Sequence, residues 1–200
     1  MKYKALLLDL DGVICTSRYF SEIYSEEFGV DIEKLRPFFG EKKDATNLDK
    51  ADLKELLADV LDEWEWKGTV DELVNYWVNS DTDMDERFVG VTQKIRENGA
   101  KVYLATDQEK FRTAFVWNER GLKNWIDGKF ISCEIELVKS NPEFFNYIAK
   151  ELGIKTEEMV FFDDSSSKVE SAKEAGVEAH VYEGFDSFLK KLGELGLVTA

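Results

Sequence analysis

Apolar residues along this chain follow two periods, and the places where the period changes outline the fold. Tyr3 to Leu8 is an almost unbroken apolar run, the pattern of a short strand buried on both faces of a parallel sheet. Lys101-Val102-Tyr103-Leu104-Ala105 and Met159-Val160-Phe161-Phe162 repeat that pattern. Val177 to Tyr182 reads as a final strand, and Phe130-Ile131-Ser132-Cys133 as a weaker one. Between these runs the period is helical. Phe88, Val91 and Ile95 outline an amphipathic helix that ends at Gly99, a glycine stop. Further helices are predicted from Glu109 to Arg120, from Pro142 to Leu152, from Lys168 to Ala175 and from Phe185 to Leu195. Pro142 suits a first helical turn. Strand and helix alternate, so the fold class is α/β with a doubly wound parallel sheet.

One segment breaks the alternation. From Cys15 to about Asp85 the chain is rich in charge and carries no strand pattern. Ser21 to Phe28, Asp49 to Trp66 and Val70 to Asn79 are its helix candidates. In the second, Leu53, Leu56, Leu57, Val60, Leu61 and Trp64 recur at helical spacing, which makes an apolar stripe. The expectation is a small α-helical cap inserted after the first strand. It divides the chain into a core of residues 1–14 and 86–200 and a cap of residues 15–85.

Composition narrows the class. At 200 residues, with 44% apolar residues and only two prolines, the chain can bury a sizeable core. Its net charge of −15 argues against nucleic-acid binding, which needs a positive footprint. A small anionic substrate stays possible where local cations or a metal overcome that field. Cys15 and Cys133 lack metal-ligand spacing and are too few for a disulfide framework. The run after Met1-Lys2-Tyr3-Lys4 is too short for a signal peptide, and no stretch is long enough for a membrane span. The expected location is the cytoplasm and the expected state a monomer or homodimer.

Polar chemistry collects where the strands stop. The first ends in Asp9-Leu10-Asp11-Gly12, the second in Thr106-Asp107 and the third in Asp163-Asp164. Parallel strands bring those ends to one edge of the sheet, where open α/β folds place their sites. Lys139, in the loop before Pro142, is within reach of the same edge. Two acids at a strand end can share a divalent cation, or divide the work of nucleophile and acid/base. So many carboxylates need a cation to share a site, and hard oxygen ligands point to magnesium.

In these residues the chain resembles the haloacid dehalogenase-like superfamily of aspartyl phosphotransferases. The resemblance lies in four ordered motifs: Asp9-Leu10-Asp11-Gly12, Thr106, Lys139 and Phe162-Asp163-Asp164-Ser165, with Val169, Ala172 and Gly176 following at the family's intervals. It implies a Mg2+-dependent phosphatase acting on a small phosphorylated metabolite, of the sugar phosphate or nucleotide class. Asp9 would be the nucleophile and form a phospho-aspartate. Asp11 would serve as acid and then base. Thr106 and Lys139 would hold the phosphoryl oxygens. Asp9, the Asp11 backbone carbonyl and Asp164 would hold the metal, with Asp163 supporting them.

The chain departs from the family in two places. Asp107 stands where Asn usually follows Thr or Ser, and Lys139-Ser140-Asn141-Pro142 replaces Lys-Pro. Asp107 is therefore a candidate for holding phosphate or leaving group. Substrate choice is expected in the cap, where Arg18 lies just past the hinge and Gly40-Glu41-Lys42-Lys43 resembles the family's cap loop. Lys42 and Lys43 are its candidate leaving-group contacts. Ser21 occupies the neighbourhood where mutase members carry a histidine, which favours hydrolysis. The alternatives are a haloacid dehalogenase, which lacks the second acid, a β-phosphoglucomutase-like isomerase, and a non-enzymatic phosphoryl-accepting or binding module. His180, Cys15 and the tryptophans Trp64, Trp66 and Trp77 read as structural.

Overall fold

A computed structural model describes residues 2–198. Its centre is a five-stranded sheet in the order β3-β2-β1-β4-β5, with every neighbouring pair parallel. The strands are β1 (Ala5–Leu8), β2 (Lys101–Thr106), β3 (Gly128–Ile131), β4 (Met159–Asp163) and β5 (Glu178–Val181). Register aligns Leu8 with Leu104 on one side and with Phe162 on the other. Asp9, Thr106 and Asp163 therefore leave the sheet side by side.

Residue alternation along each strand divides the core in two. Leu6, Leu8, Val102, Leu104, Val160 and Phe162 face one side, where α6 (Arg87–Glu97), α7 (Lys110–Asn118) and α11 (Phe185–Glu194) supply Phe88, Val116 and Phe188. Ala5, Leu7, Tyr103, Ala105 and Phe161 face the other. There α9 (Glu143–Leu152) and α10 (Ser166–Glu174) bring Phe144, Ile148 and Val169. The chain winds outward from β1 in both directions, so the crevice between β1 and β4 is the switch point of the sheet.

Between β1 and β2 lie α1 (Phe20–Phe28), α2 (Ile32–Leu35), α3 (Glu41–Thr46), α4 (Leu53–Ala58) and α5 (Val70–Ser80). They build a separate apolar cluster around Phe20, Tyr24, Phe38, Leu57, Trp64 and Trp77. Phe20 stacks on Trp77 with ring centroids 4.6 Å apart, and the Tyr24 hydroxyl donates to the Trp64 carbonyl at 2.9 Å. Two chain segments tie this insertion to the sheet. Thr16 N donates to the Asp83 carbonyl at 3.0 Å, and Asp85 N to the Ile14 carbonyl at 2.9 Å.

Local structure departs from expectation in three places. The helix predicted from Asp49 to Trp66 is only α4, followed by turns. Asp49 and Glu65 have positive φ, and the Asp52 carboxylate caps Lys54 N, so the helix cannot start before Leu53. Leu53, Leu57, Val60 and Trp64 are buried all the same. Gly40 to Lys43 is no loop, because α3 begins at Glu41. Ser132 and Cys133 belong to a short helix, α8 (Ser132–Ile135), and not to β3.

Candidate active site

β1 delivers Asp9 to the crevice with its carboxylate buried, and Asp9 N extends the pairing to β4 by donating to the Phe162 carbonyl at 3.0 Å. Lys139 is wholly buried beside it. Its ammonium lies 2.5 Å from Asp9 Oδ1 and 2.5 Å from Asp163 Oδ2. Asp163 is equally buried, and its second oxygen accepts from Ser165 N at 2.8 Å. A lysine enclosed in protein tends to lose its proton, but Asp9 and then Asp163 outweigh that and raise the Lys139 pKa. Burial raises the Asp9 pKa and Asp163 adds to it, against the pull of Lys139.

Asp164, by contrast, is exposed and turns back over the end of β1. Gly12 makes that approach possible. It sits at φ +74°, and a Cβ there would come 2.3 Å from Asp164 Oδ2. Asp9, Asp163 and Asp164 each offer an oxygen, and these oxygens lie within 4.8 Å of one another.

This donor set fits a magnesium ion. All the donors are hard carboxylate oxygens, and three acids meet two lysines, Lys139 in contact and Lys168 farther off. Asp9 Oδ1 touches the ammonium but, among the described residues, accepts no directed hydrogen bond. Asp163 has both oxygens engaged, by Lys139 and by Ser165 N, whereas Asp164 is open to the cavity.

Asp11 is held on the other side of the crevice. Arg112 Nη1 donates to its Oδ2 at 2.9 Å, Nη2 lies 2.7 Å from Oδ1 as a charge contact, and the Gln108 amide also donates to Oδ2. Enclosure in the cleft opposes ionisation of Asp11. Arg112 and then Lys43 overcome that, so its pKa falls below the ordinary aspartate value. Arg112 is 5% exposed and sits in the first turn of α7, where the Glu109 carboxylate caps Phe111 N at 2.6 Å and Arg112 N at 2.5 Å.

The crevice opens into a cavity of about 970 Å³ between sheet and insertion. Asp9, Asp11, Thr106, Asp107 and Asp164 line its sheet side, and Tyr19, Phe39, Lys43, Asn47 and Trp77 its helical side. The candidates in the insertion part company here. Lys43 faces the cavity, its ammonium 5.8 Å from the Trp77 ring centre, and burial lowers its pKa. Lys42 is exposed and lines no part of the cavity. Arg18 lies at the rim, paired with Glu26 at 2.6 Å. Asp107 lines the wall but is engaged by the protein, accepting from Lys139 N at 2.9 Å and lying 3.4 Å from Lys168 Nζ.

Ser21 also lines the cavity. Cys15 is buried, and burial raises its thiol pKa, which makes it a poor nucleophile. His180 packs against Phe162 with ring centroids 5.4 Å apart, away from the cavity wall.

Sequence reasoning missed two cations at the site, Arg112 and Lys168. A signal for Arg112 existed: it lies four residues before Val116, on the buried stripe of α7. A charge on such a stripe needs a carboxylate partner. Lys168 lies on the first turn of α10, one helical turn past Asp164.

Known proteins resemble this chain in sequence and in fold. The chain is 26% identical over 216 aligned residues to Phosphatase MT3486 of Mycobacterium tuberculosis, covering 99% of this chain and 97% of that one. It is 32% identical over 76 residues to flavin mononucleotide hydrolase 1 of Arabidopsis thaliana, spanning 38% of this chain but only 31% of that relative's length. In fold it is similar to the magnesium complex of the HAD family enzyme BT-2542 from Bacteroides thetaiotaomicron. That likeness has a TM-score of 0.80 at 20% identity, over 96% of this chain and 100% of the other. Residues 3–176 match the family model of the haloacid dehalogenase-like hydrolases, and the chain belongs to that family.

Proposed function

We propose that the protein is a magnesium-dependent phosphatase that hydrolyses a small phosphorylated metabolite through a phospho-aspartate on Asp9. One observation carries this reading. A buried carboxylate (Asp9) paired with a buried lysine, and an oxygen-only cation site that shares Asp9, meet one cavity through Asp9 and Asp164, with a second carboxylate, Asp11, on the same sheet-side wall. In this reading residues 15–85 form a cap domain over a core of residues 1–14 and 86–200.

An Asp9 carboxylate oxygen forms the new bond to phosphorus while the bond to the leaving oxygen breaks. The leaving alkoxide takes a proton from Asp11, which is ionised in the free enzyme and takes up that proton from the phosphate monoester monoanion as it binds. Water then attacks the phospho-aspartate and gives its proton to the Asp11 carboxylate, releasing phosphate and restoring Asp9. Lys139 neutralises Asp9 and the incoming phosphoryl oxygens, and Thr106 offers them a hydroxyl. Asp9, Asp164 and the Asp11 backbone carbonyl would hold magnesium, which when bound stabilises charge on the phosphoryl oxygens. Asp163 keeps Lys139 in place.

The cavity volume of about 970 Å³ lies at the upper end of small-molecule sites, roughly 300–1,000 Å³. Tyr19, Phe39 and Trp77 offer aromatic surface and Lys43 a cation. A sugar phosphate or a nucleotide suits such walls, and a relative named as a flavin mononucleotide hydrolase adds support. The test is a screen of phosphorylated sugars and nucleotides for released phosphate, with magnesium and with EDTA. Magnesium-dependent release from one class is expected. Dehalogenation of a haloacid that persists in EDTA, with no phosphate released, would overturn the reading.

A further inference from the structure

We propose that Arg112 is the positioning residue of Asp11: its guanidinium fork, braced on Asp81 beside the hinge, sets the direction in which the Asp11 carboxylate faces the cavity. This rests on the phosphatase reading, in which Asp11 handles the protons.

Asp11 needs such a device. Its side chain is 46% exposed, and it lies in the turn that leaves β1, with Gly12 at positive φ after it. Little packing fixes its rotamer, so hydrogen bonds must. Arg112 holds both carboxylate oxygens, by a directed bond from Nη1 to Oδ2 and a 2.7 Å charge contact from Nη2 to Oδ1. The Gln108 amide adds a second donor on Oδ2 alone, so of the two only the guanidinium reaches both oxygens and sets the carboxylate plane.

Arg112 is itself anchored. Its Nε donates to Asp81 Oδ1 at 3.0 Å and its Nη2 to the Asp81 carbonyl at 2.7 Å. The other Asp81 oxygen accepts from Trp77 Nε1 at 2.8 Å. The Cys15 thiol meets the same Asp81 carbonyl at 3.3 Å. Both segments that join the insertion to the sheet therefore touch the group that aims Asp11. Arg112 also has few donors to spare. Both arms and Nε are spent on protein partners, which separates it from a ligand of substrate phosphate.

A double-variant cycle tests the assignment. Asp11→Asn, Arg112→Lys and the combined variant are assayed on p-nitrophenyl phosphate and on the alkyl phosphate cleaved fastest in the screen. kcat and KM are resolved separately. Arg112→Lys should lower kcat on the alkyl ester by about 10- to 100-fold and leave KM within about threefold. Combined with Asp11→Asn it should add no further loss, since both act through one group. With p-nitrophenyl phosphate, whose leaving group needs little protonation, the phospho-enzyme should accumulate in either variant, read as intact mass after acid quench. Asp81→Asn, which keeps the guanidinium, should give the same signature in milder form and covers the case in which Arg112→Lys folds poorly. A raised KM on both esters, with losses that multiply in the double variant, would make Arg112 a substrate ligand and overturn the proposal. Equal loss of kcat on both esters without trapped phospho-enzyme would overturn it as well, leaving a structural role. If the wild type cleaves neither ester, the phosphatase reading falls and takes this assignment with it. An active wild type with additive losses removes the assignment alone.

Discussion

Lys139 carries one positive charge between Asp9 and Asp163, and Asp164 adds a third carboxylate to the same few ångströms. That imbalance makes the single residues separable by experiment. Asp9→Asn removes the nucleophile and should take phosphate release to background. The neutral amide relieves the burial of the Asp9 charge but leaves Lys139 with Asp163 as its contact partner, so the two effects oppose and the metal-free unfolding midpoint should move little. A variant that unfolds early would mean instead that Asp9 is needed for folding. Asp163→Asn and Asp164→Asn should diverge. The first weakens a wholly buried contact with Lys139 and should cost about 1–3 kcal/mol in denaturant unfolding. The second, at an exposed residue, should leave metal-free stability alone and weaken magnesium binding in titration calorimetry. Asp9, Asp11, Lys139, Asp163 and Asp164 could all be singled out from the chain, because each follows an apolar run or sits in the loop that must pass the sheet edge. Arg112 could not be paired in the same way. Its partner Asp11 is 101 residues away, and nothing in a run of letters links an arginine on α7 to a particular acid.

At the scale of elements, the strands of the sheet were readable because burial on both faces leaves an unbroken apolar run. β1, β2 and β4 have that signature. The insertion was harder. Val70 to Ser80 opens with a capping box on Thr69 and Glu72, and its helix falls where the period puts it. The stretch from Asp49 to Trp66 has the same period but two residues of positive φ, and spacing alone cannot show a chain reversing between buried leucines. The turn after β1 is the element on which the site depends most. Gly12→Ala would hold a side chain at φ +74° and drive a Cβ to 2.3 Å from Asp164 Oδ2. The strained backbone should cost about 1–2 kcal/mol, and displacing Asp164 should weaken magnesium binding as well. Chemical denaturation and calorimetry on one sample separate the two effects. Undiminished magnesium affinity in this variant would show that Asp164 does not need its place over β1.

For the whole molecule, the governing quantity is a net charge of −15, with several of those carboxylates gathered at one sheet edge. Such a chain repels itself, and any added salt relieves some of that. A gain in stability on adding magnesium therefore means little until screening is set apart from a specific site. An ion bound only by the folded state stabilises by RT ln(1 + [L]/Kd), about 2.7 kcal/mol at a hundred times Kd. In a chain of this length that is a rise of roughly 5–10 °C in midpoint, at about 2–4 °C per kcal/mol. Potassium chloride at matched ionic strength supplies the screening without the site. The expectation is a rise with magnesium, a much smaller one with potassium, and only the smaller one in Asp164→Asn. General screening acts on all the charges and would barely notice the loss of one exposed carboxylate. Equal rises with both salts, or a magnesium rise that survives Asp164→Asn, would remove the cation from the crevice between β1 and β4. Lys139, with Lys168 behind it, would then be left as the counter-charge to Asp9.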